Sequence, residues 1–63
     1  MPIVRIEISE GQSYETKAKV AADVTEAIIS HTGHDREKVL VFFYDIPRYE
    51  QAKGGVMRAA PPE

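Results

Sequence analysis

An unbroken run of six apolar residues lies in the second half of the chain and limits the possible folds more than any other segment. Positions 39–44 read Val-Leu-Val-Phe-Phe-Tyr, and β-branched and aromatic residues of this kind are typical of a β-strand. Because successive side chains of a strand point to opposite faces, both faces of this strand are apolar. A small domain on its own would leave one face uncovered, so we expect that face to meet another subunit.

The size of the chain leads to the same expectation. A chain of 63 residues is predicted to form one domain, 1–63, and a domain of this size buries only about 60% of the surface that its unfolded chain exposes. The sequence has no cysteine, so disulfides are excluded and a structural metal is disfavoured. Self-association is therefore the predicted source of stability.

The balance of charge favours small-molecule or protein partners. Acidic and basic residues are interspersed and give a formal net charge of -2, which provides no broad positive field for nucleic acid or an anionic membrane. No apolar run is long enough to span a bilayer, and the amino terminus lacks the features of a signal peptide. We therefore expect a cytoplasmic protein that binds neither nucleic acid nor membranes.

The pattern along the chain predicts a strand, a helix and a second strand, which one crossover makes parallel. Alternation indicates the first strand over residues 2–9. The helix is predicted over 14–32, with Ser13 as its N-cap and Gly33 as its left-handed C-cap. Its predicted apolar positions are Val20, Ala21, Val24, Ala27 and Ile28, with His31 at the end of the stripe.

Three shorter segments complete the prediction. Residues 34–38 are polar and form a connector with at most one tight helical turn. Residues 53–56 contain two glycines, which tolerate the positive φ of a tight turn or short hairpin. Residues 59–63 are predicted to be a tail.

Proline at position 2 carries the main functional signal. If Met1 is removed, the Pro2 nitrogen changes from an amide into a secondary amine. An α-amino group has an ordinary pKa of about 7.7 to 8.0, and apolar neighbours such as Ile3, Val4 and Ile6 lower that pKa towards the range in which a general base works best. Many proteins begin with Met-Pro for no chemical reason, so a purely structural proline is the alternative.

Together these features resemble the tautomerase superfamily, specifically the short-subunit group typified by 4-oxalocrotonate tautomerase. The resemblance covers nearly the whole chain and rests on Met1-Pro2-Ile3 opening a strand, Glu10-Gly11 and Ser13 at the strand-to-helix turn, the helix pattern through Ala27-Ile28, the spacing of the second strand, and Gly54-Gly55. It implies an α+β fold in which a β-α-β protomer carries a short C-terminal hairpin.

The resemblance also implies an assembly and an activity. Two protomers would form a four-stranded sheet with two helices, and three such dimers would form a homohexamer. The activity would be keto-enol isomerisation of a small unsaturated keto or enol acid, without a cofactor, with the N-terminal proline amine as general base.

Of the catalytic set that the resemblance implies, only the proline is matched, at Pro2. The family's arginine before the helix falls on Gln12, and its arginine in the second strand, which acts on a neighbouring subunit's substrate, falls on Leu40. Its aromatic residue falls near Gln51, with Tyr49 close enough to substitute. An arginine offers a forked cation suited to a carboxylate, which Gln12 and Leu40 do not offer. A dicarboxylate bound in the family's way is therefore disfavoured.

Three interpretations follow. In the first, the chain isomerises a less charged substrate, with Gln12 or Tyr44 donating to the developing oxyanion. In the second, Arg48 or another nearby cation replaces the missing arginines; its alternative role is an ordinary solvated charge. In the third, a paralogue in a hetero-oligomer supplies the arginines, or the oligomer is enzymatically silent.

Other signals are weaker. Hydration or dehalogenation would need a carboxylate base beside Pro2, and the candidates Glu7, Asp45 and Glu50 have no diagnostic spacing. His31 and His34 lack the companion ligands of a zinc site. Aromatic residues at strand spacing favour core and interface over base stacking.

Overall fold

One long helix and two pairs of short strands make up the fold. A computed structural model describes residues 1–62. The elements are β1 (Ile3–Ser9), α1 (Tyr14–Thr32), β2 (Leu40–Ile46), β3 (Ala52–Lys53) and β4 (Val56–Met57). Single 3-10 turns, Arg36–Lys38 and Arg48–Glu50, precede and follow β2. The structure confirms the predicted β-α-β protomer with a short C-terminal hairpin.

β1 and β2 form a parallel pair, as predicted. Ile3 is in register with Leu40, and Ser9 with Ile46. β2 continues past the predicted end at position 44, because the amide of Glu10 donates to the carbonyl of Ile46 at 3.0 Å and extends the ladder. Within residues 1–62 no other strand joins this sheet, so both of its outer edges are unpaired.

α1 begins and ends where its capping residues predict. The Ser13 side chain accepts a hydrogen bond from the Thr16 amide at 3.1 Å, which satisfies a free donor of the first turn. Gly33 adopts a φ of 77°, a left-handed conformation that glycine reaches without strain. No helix within the described residues is both long and apolar enough to cross a membrane.

The stripe of α1 that packs on the sheet differs in part from the predicted one. Val20, Ala21, Val24 and Ile28 are half-buried, as expected, but Ala27 and His31 are exposed. The other half-buried positions of the helix are Lys17, Thr25 and Ile29. The packed stripe is therefore rotated slightly around the helix from the predicted one, so that Ala27 lies at its outer edge.

The helix covers only one face of the sheet. Val4, Ile6, Val41 and Phe43 lie on the covered face and are half-buried. The opposite face, which we call the open face, carries exposed apolar side chains: Ile3 (49% exposed), Leu40 (37%), Phe42 (43%) and Tyr44 (45%). This agrees with the prediction that β2 leaves one apolar face uncovered.

A single protomer has no core of its own. No residue in the described part of the chain is fully buried. The Cα radius of gyration is 15.2 Å, whereas a compact domain of this length would have about 11 Å. The accessible surface is 5081 Å², against about 4,000 Å² for a folded monomer of this mass. The protomer therefore has the shape of a piece of a larger assembly.

Candidate active site

Pro2 lies at the amino end of the sheet, immediately before β1. It is half-buried, and its carbonyl accepts a hydrogen bond from the amide of Leu40 at 3.0 Å. Met1 precedes it and is 75% exposed. Removal of Met1 would therefore remove few packing contacts. It would keep the hydrogen bond between the carbonyl of Pro2 and β2.

The other candidate residues, apart from Leu40, lie at the carboxyl end of the sheet. Gln12 is exposed in the turn between β1 and α1, Arg48 and Tyr49 belong to the 3-10 turn after β2, and Gln51 follows that turn. A strand as long as β1 separates the two ends by about 20 Å. One protomer thus brings Leu40 to Pro2 and brings Arg48, Tyr49 and Gln51 to one another, but it does not bring the two groups together.

A cleft of about 370 Å³ opens at the carboxyl end. The residues that line it are Glu10, Pro47, Arg48, Tyr49, Ala59, Ala60 and Pro62. Residues 59–62 have no regular secondary structure, as expected for a tail, but Ala59, Ala60 and Pro62 form one wall of this cleft. The last residue of the predicted tail, Glu63, lies outside the described residues.

Glu10 fixes the position of the turn that carries Arg48. Its carboxylate accepts a hydrogen bond from the backbone amide of Arg48 at 2.7 Å. Pro47 begins the turn with a φ of -61°, the value that its ring imposes, and its carbonyl accepts from the amide of Glu50 at 2.9 Å. Glu10 could not be singled out for this role from its sequence context, because an acidic residue at the end of a strand is a weak signal.

Gln51 joins β1, β2 and the hairpin. Its side-chain nitrogen donates to the Ser9 hydroxyl at 3.0 Å and to the Ile46 carbonyl at 2.8 Å. Its side-chain oxygen accepts from Nη1 of Arg58 at 3.1 Å, and its backbone carbonyl accepts from the Arg58 amide at 2.8 Å. The amide is therefore engaged inside the protomer, and the predicted substrate contact of Gln51 stays a prediction.

The charges around the sheet divide into paired and unpaired groups. Lys17 forms an ion pair with Asp45 at 2.6 Å, and its side chain is only 21% exposed. This pair attaches α1 to β2 and occupies one of the three carboxylates considered as a catalytic base. Arg48 is exposed and is the cationic residue of the cleft lining. Within residues 1–62 no three acidic or histidine side chains cluster as metal ligands would.

A single protein family matches the segment that includes the sheet, the helix and the hairpin. The family model for tautomerase enzymes matches residues 2–60. The chain belongs to the tautomerase family. A probable tautomerase of Lactococcus lactis is 38% identical over 58 residues, which are 92% of this chain and 95% of that protein. The resemblance inferred from the sequence is thereby confirmed.

Solved structures of tautomerase family members share the fold. The crystal structure of a 4-oxalocrotonate tautomerase homologue superposes with a TM-score of 0.90 at 27% identity, over 100% of both chains. A heterohexamer 4-oxalocrotonate tautomerase from Chloroflexus aurantiacus gives a TM-score of 0.83 at 26% identity, over 92% of this chain and 94% of that one. The fold of this protomer therefore also occurs in an oligomeric member of the family.

Proposed function

We propose that this tautomerase family member is a keto-enol isomerase in which the Pro2 amine, exposed by removal of Met1, acts as the general base. The observation that carries the proposal is Pro2 itself, half-buried at the start of β1 behind an exposed Met1. Membership of a family of tautomerase enzymes supports isomerase chemistry. The single domain of residues 1–63 and its cytoplasmic location are part of the same proposal.

The chemistry needs a neutral amine and a donor for the oxygen that gains charge. In the direction of enolisation, the Pro2 nitrogen takes a proton from a carbon beside or conjugated to a carbonyl, electrons move to the carbonyl oxygen, and the proton returns at that oxygen or at a conjugated carbon. Ketonisation is the reverse: the enol hydroxyl gives its proton to the Pro2 nitrogen, the carbonyl re-forms, and the proton is delivered to carbon. A preorganised hydrogen bond to that oxygen contributes about 2.7 to 4 kcal/mol to transition-state stabilisation. Gln12, Arg48 and Tyr49 are the polar candidates, and in the oligomer they would come from a neighbouring subunit.

The residues present favour a substrate with one carboxylate. Leu40, beside Pro2, is apolar and suits an uncharged part of the substrate. Arg48 is exposed at the cleft and suits a single carboxylate, which a guanidinium binds through two parallel hydrogen bonds. A small unsaturated keto or enol monoacid satisfies both conditions, whereas a dicarboxylate would lack its second cation.

A second candidate is a subunit that depends on a different partner for its cations. Gln12 and Leu40 occupy positions at which the resemblance implies arginine. The tautomerase from Chloroflexus aurantiacus is named as a heterohexamer, which supports mixed assembly as a mode open to this fold. In that case the chain alone would form a homohexamer with little or no activity, and a paralogue would restore it.

The experiment that tests the first proposal combines mass and activity. Intact mass of the protein purified from its own host reports whether Met1 is absent, and ketonisation of phenylenolpyruvate reports the reaction. Pro2→Ala should lower kcat/KM strongly, whereas Lys19→Ala, a change of an exposed residue on α1, should leave it unchanged. Retained Met1, or activity that is indifferent to Pro2, would overturn the proposal in favour of a non-catalytic oligomer.

A further inference from the structure

Arg58, directly after β4, carries a positive charge that is held by a neutral group. Nη1 of its guanidinium donates to the side-chain oxygen of Gln51 at 3.1 Å. Arg58 is exposed and forms no ion pair within residues 1–62. An amide oxygen accepts a hydrogen bond without cancelling the charge of the donor, as a carboxylate would. The guanidinium therefore keeps its charge and its remaining N–H donors for another group.

The amide of Gln51 is itself fixed at the end of the sheet. Gln51 is half-buried, and its side-chain nitrogen donates both of its hydrogens, to the Ser9 hydroxyl and to the Ile46 carbonyl. A guanidinium has donors only, so the atom that faces Arg58 must be the amide oxygen. Gln51 is therefore a positioning residue for the guanidinium of Arg58.

The backbone of Gln51 also links Arg58 to Arg48. Its amide donates to the Arg48 carbonyl at 3.1 Å, and its carbonyl accepts from the Arg58 amide at 2.8 Å. The ends of a four-residue turn lie within about 7 Å of each other, and a hydrogen-bonded strand pair has Cα atoms about 5.5 Å apart. The Cα atoms of the two arginines are thus at most about 13 Å apart, and their long side chains can reach one small ligand.

Both arginines lie beside the carboxyl-end cleft. Arg48 belongs to its lining, and Arg58 directly precedes Ala59 of the cleft wall. The carboxylate of the lining, Glu10, accepts from the backbone amide of Arg48 and forms no ion pair with either guanidinium within the described residues. Two uncompensated cations near one cleft repel each other, and a bound anion relieves that repulsion.

We propose that Arg58, positioned by Gln51, is a further catalytic residue that donates to the carbonyl oxygen of the substrate while Arg48 binds the carboxylate. This inference rests on the proposed isomerase function. Arg58 would supply, from a different position in the chain, a cation that Gln12 and Leu40 do not offer. As with Arg48, the Pro2 that completes the site would belong to a neighbouring subunit.

The two arginines are assigned by how firmly each is held. A donor stabilises the charge that develops in a transition state best when it is already oriented, because no reorganisation is then needed during the reaction. The bond to Gln51 orients the guanidinium of Arg58 in this way. When the substrate is enolised, negative charge grows on the carbonyl oxygen, and the uncompensated charge of Arg58 stabilises it.

Direct binding of two ligands tests the contact with the carbonyl oxygen. Phenylpyruvate and 3-phenylpropanoate share a ring and a carboxylate, and only phenylpyruvate has the additional carbonyl. Isothermal titration of the wild type should give a dissociation constant at least about tenfold lower for phenylpyruvate, because hydrogen bonds from a charged donor are strong. In Arg58→Gln this preference should fall to about twofold or less, with the affinity for 3-phenylpropanoate unchanged. Arg48→Gln should weaken both ligands by a similar factor.

Two further variants control the titrations. Lys53→Gln removes an exposed cation of the same hairpin and should leave both dissociation constants unchanged. Arg58→Lys keeps the charge without the planar fork and should retain part of the preference. Both Arg58 variants keep the backbone amide that bonds to Gln51. The proposal is overturned if the wild type shows no preference, or if Arg58→Gln keeps the preference or weakens both ligands equally.

The titrations involve no turnover, so their result does not depend on whether Pro2 is the base. If the Pro2→Ala test supports isomerisation, Arg58→Gln should also lower kcat for phenylenolpyruvate by about 10²-fold with a smaller change in KM, because the donor acts mainly on transition-state charge. Loss of the ligand preference without a fall in kcat would overturn the catalytic role of Arg58.

Discussion

The side-chain nitrogen of Gln51 lies 3.0 Å from the hydroxyl of Ser9, 42 residues away in the sequence. The same nitrogen reaches β2 through the carbonyl of Ile46. An amide can donate two hydrogen bonds from one nitrogen, and here both are used at the point where the two strands end. An aromatic residue, which the family resemblance implies near this position, would make neither bond.

We expect Gln51→Leu to destabilise the assembled protein by about 1 to 3 kcal/mol, because it leaves half-buried polar groups without partners. Urea unfolding at a fixed protein concentration measures this. Gln12→Leu is the control: Gln12 is exposed, so the change should stay within about 0.5 kcal/mol. Equal stability of the two variants would mean that the Gln51 bonds contribute nothing to folding.

Arg48→Gln should raise KM for a keto or enol monoacid about tenfold or more while kcat changes little, because it removes a substrate carboxylate contact made before and during the reaction. Steady-state ketonisation kinetics separate the two constants. Arg36→Gln is the control, since Arg36 pairs with Glu26 on the surface, with both side chains more than half exposed. An unchanged KM in Arg48→Gln would identify Arg48 as a solvated charge.

Phe42→Glu should shift the protein from its oligomer to smaller species, because it places a charge on the open face that assembly must cover. Size-exclusion chromatography with light scattering measures the mass. Tyr14→Glu is a suitable comparison, because Tyr14 is also aromatic and is 86% exposed but lies at the start of α1. Dissociation of both variants, or of neither, would contradict the assignment of the open face.

The Lys17–Asp45 pair should show a coupling free energy of up to about 1 kcal/mol in a double-mutant cycle with Lys17→Met and Asp45→Asn. The side chains are 21% and 49% exposed, so solvent weakens the attraction, and added salt should reduce it further. The Arg36–Glu26 pair, which is more exposed, should give a smaller coupling. A larger coupling for the more exposed pair would contradict this ranking.

kcat/KM should fall about tenfold for each pH unit below the pKa of the Pro2 ammonium, because only the neutral amine accepts a proton. A pH profile with phenylenolpyruvate measures this, after correction for ketonisation without enzyme. Protein that retains Met1 should lack both the activity and this limb of the profile, since its Pro2 nitrogen is an amide. A profile that is identical with and without Met1 would rule out Pro2 as the base.

Local signals predicted the helix better than the strands. Ser13 and Gly33 cap α1 through groups within four residues of each end, so the sequence alone locates both ends. The end of β2 depends instead on the bond between Glu10 and Ile46, which forms only when distant segments meet. For the same reason the β2 prediction stopped at position 44, two residues before the strand ends.

The candidate site shows the same difference between local signals, which the sequence reveals, and contacts between distant segments, which it does not. Pro2 could be chosen from its position in the chain, because the chemistry of an N-terminal amine is local. The role of Glu10 depends on an amide 38 residues away, and the network of Gln51 spans three elements. The residues of the cleft wall at 59–62 carry no chemical signal, and only their folded position brings them to the site. Sequence patterns therefore located the proposed general base better than its surroundings.

No residue among positions 1–62 is fully buried. The lifetime of this protein in the cell therefore depends on its concentration. A newly made chain has no interior to protect it until it meets others, so it is open to proteases in that interval. Halving the expression of such a chain lowers its assembled pool by more than half, because assembly requires two or more copies to meet. Strains with graded expression would therefore show levels of the assembled protein that rise more steeply than the level of its messenger RNA.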